Sequence, residues 1–195
     1  MGTIKTTNIE PIADNGTVTL GSSGDTFTVP SGVTITNSGT ATGFGEANTP
    51  NFLVYGIDQA MSDNTTTKLQ FNSEAVDSDS AYDTSNYRFT VPSGKGGLYC
   101  FNTTYRFEGG MLSQINLNFR KNGSDISSFY TYSGGVGTAI YNSQQYVSRN
   151  LTLFENCSAG DYIEVFAFFD IISGSTLQCD TRQGIGQFSG FRITS

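Results

Sequence analysis

The sequence predicts an all-β protein, a β-sandwich of about eight to ten strands preceded by a short β-rich segment. Three observations carry this. Charged residues make up 14% of the chain, against a typical ~25%, and Gly, Ser, Thr and Asn take their place, which is the composition of short strands and many turns. Apolar and polar residues alternate in one run after another. No stretch joins a helical apolar period to helix caps.

The aromatic residues divide the chain. All ten Tyr and thirteen of the fifteen Phe lie beyond residue 50, and the composition shifts near Asn48–Pro50. Two parts are expected, residues 1–50 and residues 51–195.

In the first part, Thr17–Leu20, Thr26–Val29 and Val33–Thr36 are short alternating pieces, each with two apolar residues on one side. Together they bury too little apolar surface to offset the ordering of the segment, so a single copy forms no core. Its low charge and β-branched side chains are unlike a disordered leader. It is expected to be a stalk that winds with identical copies around a common axis. The hexamer Phe-Thr-Val-Pro-Ser-Gly occurs here at Phe27–Gly32 and again at Phe89–Gly94. Its first residues suit a strand, Pro ends the pairing because it has no N–H, and Ser-Gly lets the chain turn. The flanks of the two copies share nothing, which excludes a duplicated domain.

In the second part, Leu98–Phe101, continuing through Tyr105 and Phe107, is apolar on both faces. Ile115, Leu117 and Phe119 alternate with Asn116, Asn118 and Arg120, a half-buried strand, and Lys121–Ser124 supplies a hairpin turn. Across Tyr162–Phe169, the side chains of Ile163, Val165, Ala167 and Phe169 can fill a sandwich core, while Tyr162, Phe166 and Phe168 point the other way. Aromatic rings on an outer face need a cover.

Several functions are set aside on composition. A formal charge of −7, with ten Lys and Arg and no basic stripe, opposes nucleic-acid binding. No run of about 18 apolar residues is present to insert in a membrane, and the first residues lack the apolar core of a secretory signal. The chain has no His, so Ser-His-Asp and Cys-His catalysis and His-ligated zinc are impossible; no enzyme activity, cofactor or metal requirement is expected. Cys100, Cys157 and Cys179 follow no metal-ligand spacing and are expected to be reduced. Asp77, Asp79 and Asp83 are expected to form an Asx-rich turn, with a surface calcium site as the alternative, because Asp-x-Asp offers hard oxygen ligands without a known calcium-loop pattern.

One region has the composition of a recognition surface. Tyr130, Tyr132, Tyr141, Gln144, Gln145 and Tyr146 frame a Gly-rich stretch, and Arg182 is the cation of a similar loop, Asp180–Gln187. Tyr offers large, stiff contact area and amides adaptable hydrogen bonds, which suits a saccharide or a protein receptor. A plain polar loop would have the same composition.

Leu69–Phe71, Tyr82–Thr84, Arg88–Pro92 and Gly97–Phe101, then Leu117–Gly123, Leu151–Leu153, Ala159–Val165 and Phe188–Ile193, resemble in their order the C1q/TNF-like jelly roll. The likeness covers residues 51–195; the turn Ser93–Gly97 is longer than that family's usual one. It implies a sandwich of about ten strands that trimerises, with aromatic residues near the last strand and on the strand after Ala-Gly-Asp at the three-fold contact. Tyr162, Phe166, Phe168, Phe188 and Phe191 are the residues it assigns there. Residues Ile4–Leu20 and the Phe27 hexamer resemble the N-terminal stretch of phage fibre-like structural proteins. That likeness implies a virion protein, held by other virion proteins at its N-terminal segment, with a trimeric head that meets a host-surface glycan or protein. Capsid decoration of purely structural role, a cellular C1q-like binding module and a polysaccharide depolymerase are the rival readings.

Overall fold

The computed structural model describes residues 9, 16–36, 38, 48–132, 146–173 and 178–194, with the backbone alone at 111, 128–132 and 173. The chain divides into two compact units, Met1–Phe44 and Gly45–Ser195.

The described residues of the first unit are extended pieces joined by two tight turns and form no ladder among themselves. In one turn the Asp25 amide donates to the Ser22 carbonyl at 3.0 Å, and the Ser22 amide to Asp25 Oδ2 at 2.7 Å. In the other, the Val33 amide donates to the Pro30 carbonyl at 3.2 Å. The same turn recurs in the second copy of the hexamer, where the Lys95 amide donates to the Pro92 carbonyl at 3.1 Å. Gly32 and Gly94 both adopt positive φ, 83° and 74°, as the third position of this turn requires. One local solution therefore serves two settings. In the first setting most of the apolar side chains are left in solvent: Leu20, Phe27, Val33 and Ile35 are exposed, and Val29 is half-buried.

The second unit contains thirteen strands among its described residues. They are β1 (Asn51–Gly56), β2 (Asp58–Ala60), β3 (Thr67–Lys68), β4 (Phe71–Asp77), β5 (Tyr82–Asp83), β6 (Arg88–Thr90) and β7 (Gly97–Glu108), followed by β8 (Met111–Lys121), β9 (Ser124–Tyr132), β10 (Tyr146–Cys157), β11 (Tyr162–Ser173), β12 (Gln178–Asp180) and β13 (Gln187–Thr194). They make two sheets, and every pairing is antiparallel.

In one sheet β7 pairs along its whole length with β10, and on its other edge with β13 and then β12. Beyond these lie β1 beside β13, β2 beside β12, and β4 on the outside of β1. In the other, β11 lies between β8 and the short strands β6 and β3, with β9 and β5 at the edges. The β8–β9 hairpin turns at Asn122 and Gly123, both at positive φ, which is the expected Asn-Gly turn.

The core is aromatic. Phe52, Phe89, Phe101, Phe119 and Phe188 are buried against one another, with Phe52 stacked on Phe89 at 4.7 Å and edge-on to Phe188 at 4.9 Å. Such pairs add about 0.5–1.5 kcal/mol each beyond the area they bury. Ile163, Val165, Ala167 and Phe169 enter this core from β11, and Ile115, Leu117 and Phe119 from β8, as their alternation predicts. Gly190 makes the crowding workable, since a Cβ there would stand 2.6 Å from the Phe101 ring and 2.7 Å from Phe52.

Candidate functional site

Strand β7 sets the character of its sheet. Tyr99, Phe101, Thr103, Tyr105 and Phe107 are buried, so period-two alternation turns Leu98, Cys100, Asn102, Thr104 and Arg106 to the outer face. The register places Phe154 of β10 directly opposite Cys100 on one side and Phe191 of β13 directly opposite it on the other. A row Phe154–Cys100–Phe191 thus crosses three strands on the open face, with Phe154 63% and Phe191 45% exposed. Val76 of β4 and Ile193 of β13 are exposed too. Adjacent exposed rings of this kind make the face a candidate contact surface.

Two positions along each strand the face becomes polar. Asn102 Nδ2 donates to Thr152 Oγ1 at 2.8 Å, and Asn150 Nδ2 to Thr104 Oγ1 at 2.8 Å. Beyond them lies a cleft of about 390 Å³ lined by Tyr55, Thr104, Gly184, Ile185, Gly186 and Gln187. Gln187 stands opposite Thr104 in the ladder. The wall of the cleft is the 181–186 turn, pinned where the Thr181 amide donates to the Ile57 carbonyl at 3.1 Å and the Gly186 amide to the Arg182 carbonyl at 3.0 Å.

A charged cluster closes this end of the sheet. Asp180 is fully buried, and Arg182 grips it with Nε at 2.9 Å and an η nitrogen at 2.7 Å. Arg106 reaches the same carboxylate at 3.2 Å and also bonds Glu108, while Asp58 lies 3.8 Å from Arg182. Hydrogen bonds from Arg182 hold the Asp180 carboxyl below the ordinary carboxylate value. Burial, with the charges of Asp180 and Glu108, pushes Asp58 upward. The ring of Tyr146, the exposed first residue of β10, lies under the Arg106 guanidinium at 4.8 Å.

The five residues assigned to a three-fold contact fall in three places. Phe188 is corrected outright: it is completely buried in the core and presents nothing to a partner. Phe191 is on the outer face of the β7 sheet. Tyr162, Phe166 and Phe168 are on β11, in the other sheet, so they and Phe191 would belong to the two different faces that each protomer of a three-fold ring presents to its neighbours. They are also half-buried already, with Arg120 over the Phe166 ring at 4.0 Å and Arg88 over Tyr162 at 4.7 Å. Part of the cover that these rings need comes from their own chain.

The recognition residues divide as well. Tyr141, Gln144 and Gln145 lie outside the described residues. Tyr130 and Tyr132 are on β9, paired with Asn116 and Gln114 in the β11 sheet. Tyr146 and Arg182 belong to the charged cluster on the β7 sheet. Nothing in composition or motif singles out Tyr55, Thr104 and Gln187, although the apolar parity of β7 places Thr104 on an outer face. Two of the three Asp residues cap turns: Asp77 accepts the Ala81 and Tyr82 amides, each at 3.0 Å, and Asp83 Oδ1 accepts those of Ser85 and Asn86, in the next turn, at 2.8 and 2.9 Å. Cys100, Cys157 and Cys179 are free thiols; burial raises Cys179 and pushes Cys157 up to about 11.

No protein-family model and no curated protein matches the chain. Solved structures do. A crystal structure of murine APRIL at pH 5.0 is 9% identical, covers 73% of this chain and 99% of its own, and superposes with a TM-score of 0.52. Another, at pH 8.0, matches with the same identity and coverage and a TM-score of 0.51. The globular domain of zebrafish complement 1qA protein is 16% identical over 75% of this chain and 98% of that one, with a TM-score of 0.49. The fold of the second unit is the all-β C1q/TNF-like jelly roll. At such identities the likeness concerns the fold alone.

Proposed function

We propose that this chain is a non-enzymatic structural protein of a phage virion, a homotrimeric fibre or spike whose head attaches to the host surface. The observation that carries trimerisation is the open row Phe154–Cys100–Phe191 on the β7 sheet. Two sister copies packed on this face cover the rings, which no segment described in a single chain does. The exposed apolar side chains of Leu20, Phe27, Val33 and Ile35 call for the same remedy: three copies of the N-terminal segment wind into a β-stalk and share one apolar axis.

The virion reading rests on the resemblance of Ile4–Leu20 to phage fibre-like proteins. It gives the N-terminal segment the task of holding the particle and the head that of meeting the host. Three weak head sites on one rigid spike bind together through high effective concentration, which is the physical advantage of the trimer. Light scattering on the full chain tests the assembly; a monomer at micromolar concentration would defeat it. Imaging of particles labelled at the C-terminus tests the location, a tail label supporting the host-attachment spike, a capsid label the decoration reading, and an unlabelled particle neither.

A further inference from the structure

The structure assigns a ligand to the cleft beside Gln187: we propose that it binds a neutral saccharide, one or two pyranose residues of a surface glycan. This deepens the attachment role proposed above and rests on it. The floor is built from adjacent strands, Thr104 on β7, Gln187 on β13 and Tyr55 on β1, so three side chains stand in a line about 10 Å long at the usual strand spacing. Its volume of about 390 Å³ suits a small ligand.

The chemistry of the lining selects the ligand. Gln187 and Thr104 each both donate and accept hydrogen bonds, as a hydroxyl-rich ring does, and Tyr55 adds an aromatic face on which the C–H side of a pyranose can lie. The wall at Gly184 and Gly186 brings backbone close without side chains; at Gly186 a Cβ would stand 2.6 Å from the Thr104 carbonyl oxygen. The 181–186 turn is anchored before any ligand arrives, because Asp180 accepts from both the Arg182 amide at 3.0 Å and its guanidinium. Little ordering remains for binding to supply.

Other ligand classes fit less well. At the cleft Gln187 is paired with Thr104, and the β1–β13 ladder closes one residue away at Val54–Phe188, which leaves no strand-length free edge for an extended peptide. No charged side chain among the described residues lines the cleft to hold an anion, and the two guanidiniums of the neighbouring cluster, Arg106 and Arg182, are already engaged by the carboxylates of Asp58, Glu108 and Asp180. An apolar ligand would give the Gln187 amide nothing to bond in the cleft and leave the Thr104 hydroxyl, which already accepts from Asn150, no acceptor for its own proton.

The test uses the full chain and saturation-transfer NMR with the methyl glycosides of glucose, galactose, mannose and N-acetylglucosamine. At least one is expected to receive saturation on its ring protons. Gln187→Ala and Tyr55→Ala should each weaken that glycoside by about tenfold or more, while Asn118→Ala, on the other sheet, leaves it unchanged. Gln187 contributes to the ladder through its backbone, so Gln187→Ala keeps the fold, as a far-ultraviolet spectrum will verify. Transfer to none of the four, or equal transfer in Gln187→Ala and the parent chain, overturns the proposal. So does binding of a sialoside with none of the neutral glycosides. Scattering on the same samples separates the two readings: a trimer without glycoside binding defeats the cleft alone, and a monomer that binds defeats the assembly alone.

Discussion

Phe188 and Phe191 lie three residues apart on β13 and face opposite sides of the sheet, Phe188 at 0% exposure in the aromatic core and Phe191 at 45% on the open face. An odd spacing on a strand always separates two side chains in this way. The pair therefore splits stability from assembly. Phe188→Ala is expected to cost about 3–5 kcal/mol of head stability, read in chemical denaturation. Phe191→Asp should leave the melting of the head fold nearly unchanged and turn trimer into monomer in sedimentation. Phe168→Asp, on the opposite sheet, should stay trimeric; if it alone dissociates, the contact lies on β11.

Cys100 reports on the same face chemically. It is half-buried between Phe154 and Phe191, while Cys157 and Cys179 are buried. In the assembled protein all three thiols are expected to resist iodoacetamide, and in Phe191→Asp one, Cys100, becomes reactive. Mass spectrometry of the labelled peptides identifies it. Rapid labelling of Cys100 in the native protein would mean that the face is open to solvent.

The Asp180 cluster gives a pH dependence of defined sign. Its carboxyl titrates below the ordinary 3.8, so its stabilising effect is complete above that value and fades as pH falls through the lower folded value. Asp180→Asn should cost roughly 1–3 kcal/mol at pH 7, less than the ~3–5 of a fully buried pair because Arg182 reaches solvent. Thermal melts should show the gap between Asp180→Asn and the parent narrowing below pH 3.8.

Asp58 has the opposite sign. Burial raises its carboxyl above 3.8, so ionised Asp58 opposes folding, and this cost grows as pH rises through the raised value. Its Oδ1 is buried with no hydrogen-bond partner. Asp58→Asn is expected to raise the melting temperature at pH 7 and to lose that advantage at pH 3. A lower melting temperature at pH 7 would show that its ion pair with Arg182 outweighs burial.

The stalk can be probed by protease. In a wound trimer the 16–36 segment should resist trypsin and thermolysin, and the double substitution Leu20→Asp, Phe27→Asp should open it to thermolysin while the head remains intact. A parent chain cut there as quickly as the variant would rule out winding.

The sequence made local structure legible and left the pairing of strands hidden. Parity along Ile115–Arg120 and Tyr162–Phe169 placed each side chain on its correct face, and Asn122-Gly123 and the repeated hexamer announced their turns, because these depend on neighbours in the chain. Which sheet a strand joins depends on partners far away, such as Phe191 with Cys100. Hence the sequence does not show that β11 and β13, both expected at the three-fold contact, lie in different sheets. Phe188 was misplaced for the same reason, since in Phe-Ser-Gly-Phe nothing local says which ring faces inward. The cleft is not legible in the sequence because Tyr55, Thr104 and Gln187 are brought together only by the pairing of distant strands.

Strand β13 sits between β1 and β7, yet the ribosome makes it after both. Until it emerges, the β1–β4 pair and the β7–β10 pair each carry an unpaired edge toward the gap that β13 will fill, and no shorter nascent chain can close that sheet. Folding of the head thus awaits the synthesis of β13. During translation the two waiting edges are the places where neighbouring nascent chains are most apt to exchange strands, and where a chaperone would do the most good.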